Sequence, residues 1–170
     1  MIELTVESVR INLQTSQRVM ILKAKDQDRY LFIWIAHAEA YAIAIELQGP
    51  EKSSPRPLTH DLLKNVIEGM GGKVTRIVIS DQIDDIFYAS IIIDAAGTQI
   101  EIDSRPSDAV ALAIRTKSPI FVAESVLERS GVTLDENEEQ TLPKVEQPLQ
   151  EGVPEESELK PQDQQDSDDV

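Results

Sequence analysis

The sequence predicts an α+β fold: strands of a mixed or antiparallel sheet with alanine-rich, buried helices. Three observations predict it. Strand-like segments lie at 2–13, 18–23 and 30–35, and three more at 73–80, 86–93 and 98–103 read as a meander. In each half an apolar strand feeds an acid-started, alanine-rich helix that ends near a proline, Pro50 or Pro119. The two halves match weakly at an offset of 69, where Glu39-Ala40-Tyr41-Ala42-Ile43-Ala44-Ile45 parallels Asp108-Ala109-Val110-Ala111-Leu112-Ala113-Ile114. Such a match reads either as a strand–helix duplication or as two buried helices with the same packing duty.

The first segment alternates apolar and polar residues through Ile2, Leu4 and Val6, then changes phase after Glu7. Alternation marks a half-buried strand, and the phase change marks a bulge. Lys25-Asp26-Gln27-Asp28 is a polar turn between the next two strands. Residues 30–35 (YLFIWI) are apolar throughout, which predicts a strand covered on both faces, with Phe32 and Trp34 in the core. Residues 37–48 form a helix, since alanine is the best helix former, and Gly49-Pro50 stops it. After a polar loop, 59–70 is a second helix whose Leu62, Leu63, Val66, Ile67 and Met70 share one stripe. In the meander at 73–103, Asp84-Asp85 and Ala96-Gly97 occupy the turns. A helix at 106–116, a strand at 119–122 and a short helix at 123–130 complete a domain of residues 1–134.

Residues 135–170 read as a disordered acidic tail, rich in Glu, Gln, Asp, Pro and Ser without periodicity. They hold 13 acids and two lysines, so most of the formal charge of −15 is theirs. Residues 1–134 carry 18 acids against 14 bases. No Lys/Arg cluster marks a phosphate-binding face. The chain has no cysteine, which excludes disulfides and thiolate metal sites. No apolar run approaches the roughly 18 residues a membrane span needs. Acids in Met1–Glu7 stand where a signal peptide carries bases, so the cytoplasm is the expected location.

Two polar segments carry the candidate chemistry. In Arg56-Pro57-Leu58-Thr59-His60-Asp61, Thr59 fits an N-cap and Asp61 complements the helix dipole. That reading leaves His60 an exposed first-turn residue. The functional reading makes His60 a proton acceptor or metal ligand and Arg56 an anion holder. In Asp103-Ser104-Arg105-Pro106-Ser107-Asp108, Pro106 fits the first helical position. The alternative gathers two acids, a guanidinium and a hydroxyl in one crevice, where a helix start favours an anion and acids hold a divalent ion. Glu39, at the start of the first alanine-rich helix, reads as a dipole-compensating acid or a weaker member of the same site.

Taken together, Ile33-Trp34-Ile35, Glu39–Ile43, Arg56–Leu63, Phe87-Tyr88-Ala89, Ile102–Ala113 and Pro119–Val122 resemble the bifunctional nuclease domain family over roughly residues 1–130. The resemblance implies an α+β homo-oligomer, most simply a dimer, acting as a nuclease on DNA and RNA. It implies catalytic roles for His60, Asp61, Asp103 and Asp108. Substrate phosphate would fall to Arg56, Thr59, Arg105 and Ser107. A divalent ion, Mg²⁺ or Mn²⁺, would fall to Asp103, Asp108 and Glu39. The competing expectation is a non-enzymatic, homo-oligomeric module that binds a small anion or a protein partner. All of this assumes that the two helix starts face one pocket.

Overall fold

The computed structural model describes residues 1–12, 15–49 and 54–134, so the acidic tail expected at 135–170 lies outside the described residues. Strands β1 (Ile2–Ile11), β2 (Arg18–Ala24) and β3 (Tyr30–Ile35) form an antiparallel meander. Helices α1 (His37–Leu47) and α2 (Thr59–Gly69) follow it. A second antiparallel meander, β4 (Gly72–Ile83), β5 (Ile86–Ala95) and β6 (Thr98–Ser104), leads into α3 (Pro106–Thr116). Strand β7 (Ile120–Val122) and helix α4 (Glu124–Ser130) close the described chain.

The sheet order is β3-β2-β1-β7-β4-β5-β6. Strand β7 pairs antiparallel with β1 and parallel with β4, so it joins two meanders that run outward in opposite directions. Helices α1 and α3 begin 69 residues apart and end 69 residues apart, at 37 and 106 and at 47 and 116. The repeat seen in the sequence is therefore a structural duplication of meander plus helix.

Local chemistry explains the connections. Asp84, Asp85, Ala96 and Gly97 all have positive φ, between 49° and 85°. Two successive left-handed residues give the turn whose twist matches a tight hairpin, and Asp and Gly tolerate it best. The β1–β2 register shifts between Val6 and Ser8, where the alternation changes phase.

The core lies on the helix side of the sheet. Leu4, Met20, Leu22, Leu31 and Ile33 from one half meet Ile77, Ile79 and Ile91 from the other. Between them lies α3, in which Ala109 through Ala113 are fully buried. Each buried Leu or Ile contributes about 1.5–3 kcal/mol relative to exposure. The alanines let α1 pack closely on α3. Residues 33–35 of β3 and 85–87 at the start of β5, from opposite sides of the sheet, line one cleft, so the sheet curls around α3.

One expectation about apolar residues fails, that β3 is covered on both faces with Trp34 in the core, and the reason is position in the sheet. Strand β3 is an edge strand, and only its first half is covered on the outer face. There Tyr30 bridges to Val132, and Phe32, half-buried, packs against the small cluster of Val19, Ile21 and Tyr30. Trp34 lies beyond that cover and is 62% exposed, not in the core. Helix α2 sits at the margin of the helix layer. Of its apolar stripe only Ile67 packs against the core, while Leu62, Leu63, Val66 and Met70 are exposed, Met70 by 83%.

Candidate functional site

The starts of three helices converge. Helix α1 brings Glu39, α2 brings His60 and α3 brings Asp108, with Arg105 in the turn just before α3. Arg105 Nη2 donates to Glu39 Oε1 at 2.5 Å, and its Nε donates to Asp108 Oδ2 at 2.7 Å. The other oxygen of Asp108, Oδ1, lies 3.1 Å from His60 Nε2. A carboxylate only accepts, so this contact sets the proton on Nε2. His60 Nδ1 and Arg105 Nη1 have no partner among the described residues.

The site is buried on one side and open on the other. His60 and Glu39 are each 8% exposed, whereas the Arg105 side chain is 64% exposed. Asp108, then Glu39, hold the Arg105 guanidinium above its ordinary range, so its charge is permanent. Glu39 Oε2 is buried and lacks a hydrogen-bond partner among the described residues. An unsatisfied buried oxygen is costly, and its cost is relieved by a ligand that donates to it. These groups line a cleft of about 310 Å³ together with Ala38, Tyr41, Ala42, Leu58 and Thr59.

The placement of His60 follows from a clamp behind it. Helix α2 begins at Thr59, with Leu58 rather than Thr59 in the cap position, and Asp61 Oδ2 accepts from the Leu58 backbone N–H at 2.8 Å. Asp61 Oδ1 accepts from Arg115 Nε at 2.6 Å. The Arg115 side chain is 2% exposed and also donates through Nη1 to the Ala111 carbonyl at 2.9 Å. Burial works against the Asp61 charge, but the Leu58 N–H and Arg115 outweigh it and hold the carboxyl below its ordinary range. Asp108 and Arg115 lie seven residues apart, two turns of one face of α3. Adjacent residues of α2, His60 and Asp61, dock on them in turn. His60 is thereby drawn into the cleft wall and is not the exposed first-turn residue the sequence suggests.

The expected site residues divide cleanly. Glu39, Thr59, His60, Arg105 and Asp108 share the cleft. Asp61 lies behind it, in a neighbouring recess with Arg115. Arg56 is exposed on the loop before α2 and lines neither cleft beside Arg105. Ser107 is buried and lines a second cleft on the other side of Arg105. Asp103 is an exposed residue of β6 opposite Ser90, while its neighbour Ile102 stands opposite the buried core residue Ile91. Successive strand residues face opposite sides, so Asp103 points away from the helix layer that carries Asp108. Arg115 went unrecognised in the sequence. Its signal was a lone guanidinium in the last turn of an otherwise apolar, alanine-rich helix.

A divalent ion on Asp103, Asp108 and Glu39 does not fit this arrangement. Asp103 faces the other way, and both oxygens of Asp108 are engaged. The space between Glu39 and Asp108 is filled by the Arg105 guanidinium, which supplies the positive charge there. Among the described residues no three His, Asp or Glu side chains are grouped to hold a metal. No helix among them is long and apolar enough to cross a membrane.

Fold and site together define an α+β protein with a duplicated meander, carrying a histidine–carboxylate pair in an open cleft between helix starts. The chain belongs to the bifunctional nuclease domain family, whose model matches residues 20–135. It is 42% identical over 139 residues to an uncharacterized protein of Mycobacterium tuberculosis (strain H37Rv), covering 81% of this chain and 82% of that protein. It is 31% identical over 81 residues to Bifunctional nuclease 1 of Oryza sativa subsp. japonica, covering 46% of this chain and 24% of the rice protein. Bifunctional nuclease 1 of Arabidopsis thaliana is 27% identical over 85 residues, covering 48% of this chain and 26% of that protein.

Proposed function

We propose that the chain hydrolyses phosphodiester bonds of nucleic acid, with His60 as the proton acceptor. The observation that carries this reading is the 3.1 Å contact between His60 Nε2 and Asp108 inside a cleft walled by Arg105. With Nε2–H committed to Asp108, Nδ1 is the basic nitrogen. It takes the proton of the attacking water as the water oxygen bonds to phosphorus. The ester P–O bond breaks, and the proton passes from His60 to the leaving oxygen. Arg105 is fixed by two carboxylates and offers Nη1 to a non-bridging phosphate oxygen, which stabilises the charge that develops there. The names of the rice and Arabidopsis relatives support the same class of reaction.

A receptor for a small anion would use Arg105 in the same way but gives the His60–Asp108 pair no role. The direct test is cleavage of single-stranded and duplex oligonucleotides by highly purified protein, with and without Mg²⁺ or Mn²⁺. Cleavage well above that of a His60→Ala, Asp108→Ala double variant is expected. Equal rates for the two proteins would end the proposal.

The same chain is proposed to self-associate, most simply as a dimer, through α2. Leu62, Val66 and Met70 form an exposed apolar face, and contiguous apolar patches of this kind mark interaction sites. Val66→Glu is expected to shift sedimentation toward a lighter particle, and an unchanged particle size argues for another interface.

A further inference from the structure

Arg105 walls two clefts, not one. On its far side a second cleft of about 310 Å³ is lined by Trp34, Ile35, Ile86 and Phe87, with Asp85 at the β4–β5 turn and Ser107 at the start of α3. Trp34 and Ile86 are both exposed large apolar side chains. Among the described residues that line it, Arg105 is the only cation. Asp85 adds a negative charge. With Trp34, Ile35, Ile86 and Phe87 along its wall, the cleft is suited to a neutral, flat, apolar group with hydrogen-bond donors. It adjoins the proposed reaction site through the one side chain that would hold the phosphate.

We propose that this second cleft is a nucleobase subsite, in which an unpaired base next to the scissile phosphate stacks on Trp34. The inference rests on the nuclease reading above and narrows its substrate class to single-stranded nucleic acid. Residues 1–134 have more acids than bases, so phosphate neutralisation supplies little affinity. A stacked base supplies affinity without charge, and it does so for every base because each has a π-face. In a duplex the base faces its complement and cannot reach the ring. Asp85 would accept from an exocyclic amino group, which adds a preference for bases that carry one.

Trp34 is the sole tryptophan of the chain, so its fluorescence reports this subsite directly. The probe is a single-stranded DNA dodecamer added to the His60→Ala variant, beside a blunt duplex of the same sequence. Saturable quenching by the single strand and little by the duplex is expected. With the otherwise native chain, Trp34→Ala should raise KM for single-strand cleavage by roughly five- to 100-fold, with kcat little changed, and Trp34→Phe should restore most of the loss. Equal quenching by duplex, no quenching, or an unchanged KM in Trp34→Ala would overturn the subsite. So would a lighter particle for Trp34→Ala in sedimentation, which would place a second copy of the chain on the ring. Quenching without any cleavage by the native chain would instead sink the nuclease reading and leave the base subsite standing. Cleavage without quenching would do the reverse.

Discussion

Replacing His60 with alanine lowers kcat for phosphodiester cleavage by about 10²–10⁴-fold, the usual contribution of a positioned general base. The loss falls on kcat because the imidazole is used most in the transition state, where the water gives up its proton. His60→Gln makes the sharper comparison. Glutamine keeps a donor toward Asp108 Oδ1 and much of the buried volume, so helix α2 stays docked, but an amide cannot take a proton. It should therefore be nearly as slow as alanine while unfolding at a temperature closer to the native chain. Asp108→Asn acts differently. It weakens the hold on the His60 tautomer and releases one of the two bonds that fix Arg105, so both kcat and KM should worsen. If His60→Gln turns over at more than about a tenth of the native rate, the proton acceptor lies elsewhere in the cleft.

The fold was legible where backbone chemistry decides the outcome. Pro106 marks the start of α3, the Asp84-Asp85 and Ala96-Gly97 pairs mark their turns, and the phase change after Glu7 marks the β1 bulge. These depend on a few adjacent residues and so appear in the order of the chain. What a strand or helix packs against is not local. An all-apolar segment reads the same whether it is central or at an edge, so Trp34 looked buried. A stripe on α2 says that an apolar face exists, not that this chain covers it.

The site was legible in part, for the same reason. His60 and Asp108 were each marked by their helix starts, and the fold brings them to 3.1 Å. Asp103 is close to Asp108 in sequence, yet the pleat of β6 turns it to the other face. That outcome follows from period-two alternation with Ile100 and Ile102, and adjacency in the chain obscured it. Arg115 had no visible partner in the sequence, because Asp61 is 54 residues away. The pairing exists only once α2 lies on α3.

That pairing governs the largest expected stability change. Asp61→Asn is expected to destabilise the chain by about 3–5 kcal/mol, because it leaves the Arg115 guanidinium buried without a countercharge. The two sides of the pair are unequal. Arg115 is 2% exposed, whereas the Asp61 carboxylate is 33% exposed and takes up water when its partner is removed. Arg115→Met should therefore cost less, about 1–2 kcal/mol, since it deletes the buried charge and keeps the packing of the stem. The double variant should cost less than the two single losses together, because both single variants break the same ion pair. The pH dependence gives an independent check. The Asp61 carboxyl is held below its ordinary value of 3.8 in the folded chain, so its contribution is fully present above that value and fades as pH falls through the lower folded one. Urea unfolding at pH 7 and at successively lower pH should show the gap between the native chain and Asp61→Asn closing only below about pH 4. A gap that closes between pH 5 and 7 would assign the effect to another group. Because Asp61 and His60 dock on one face of α3, Asp61→Asn should also slow cleavage. Arg115→Met, which leaves the Leu58 cap contact of Asp61 in place, should slow it less.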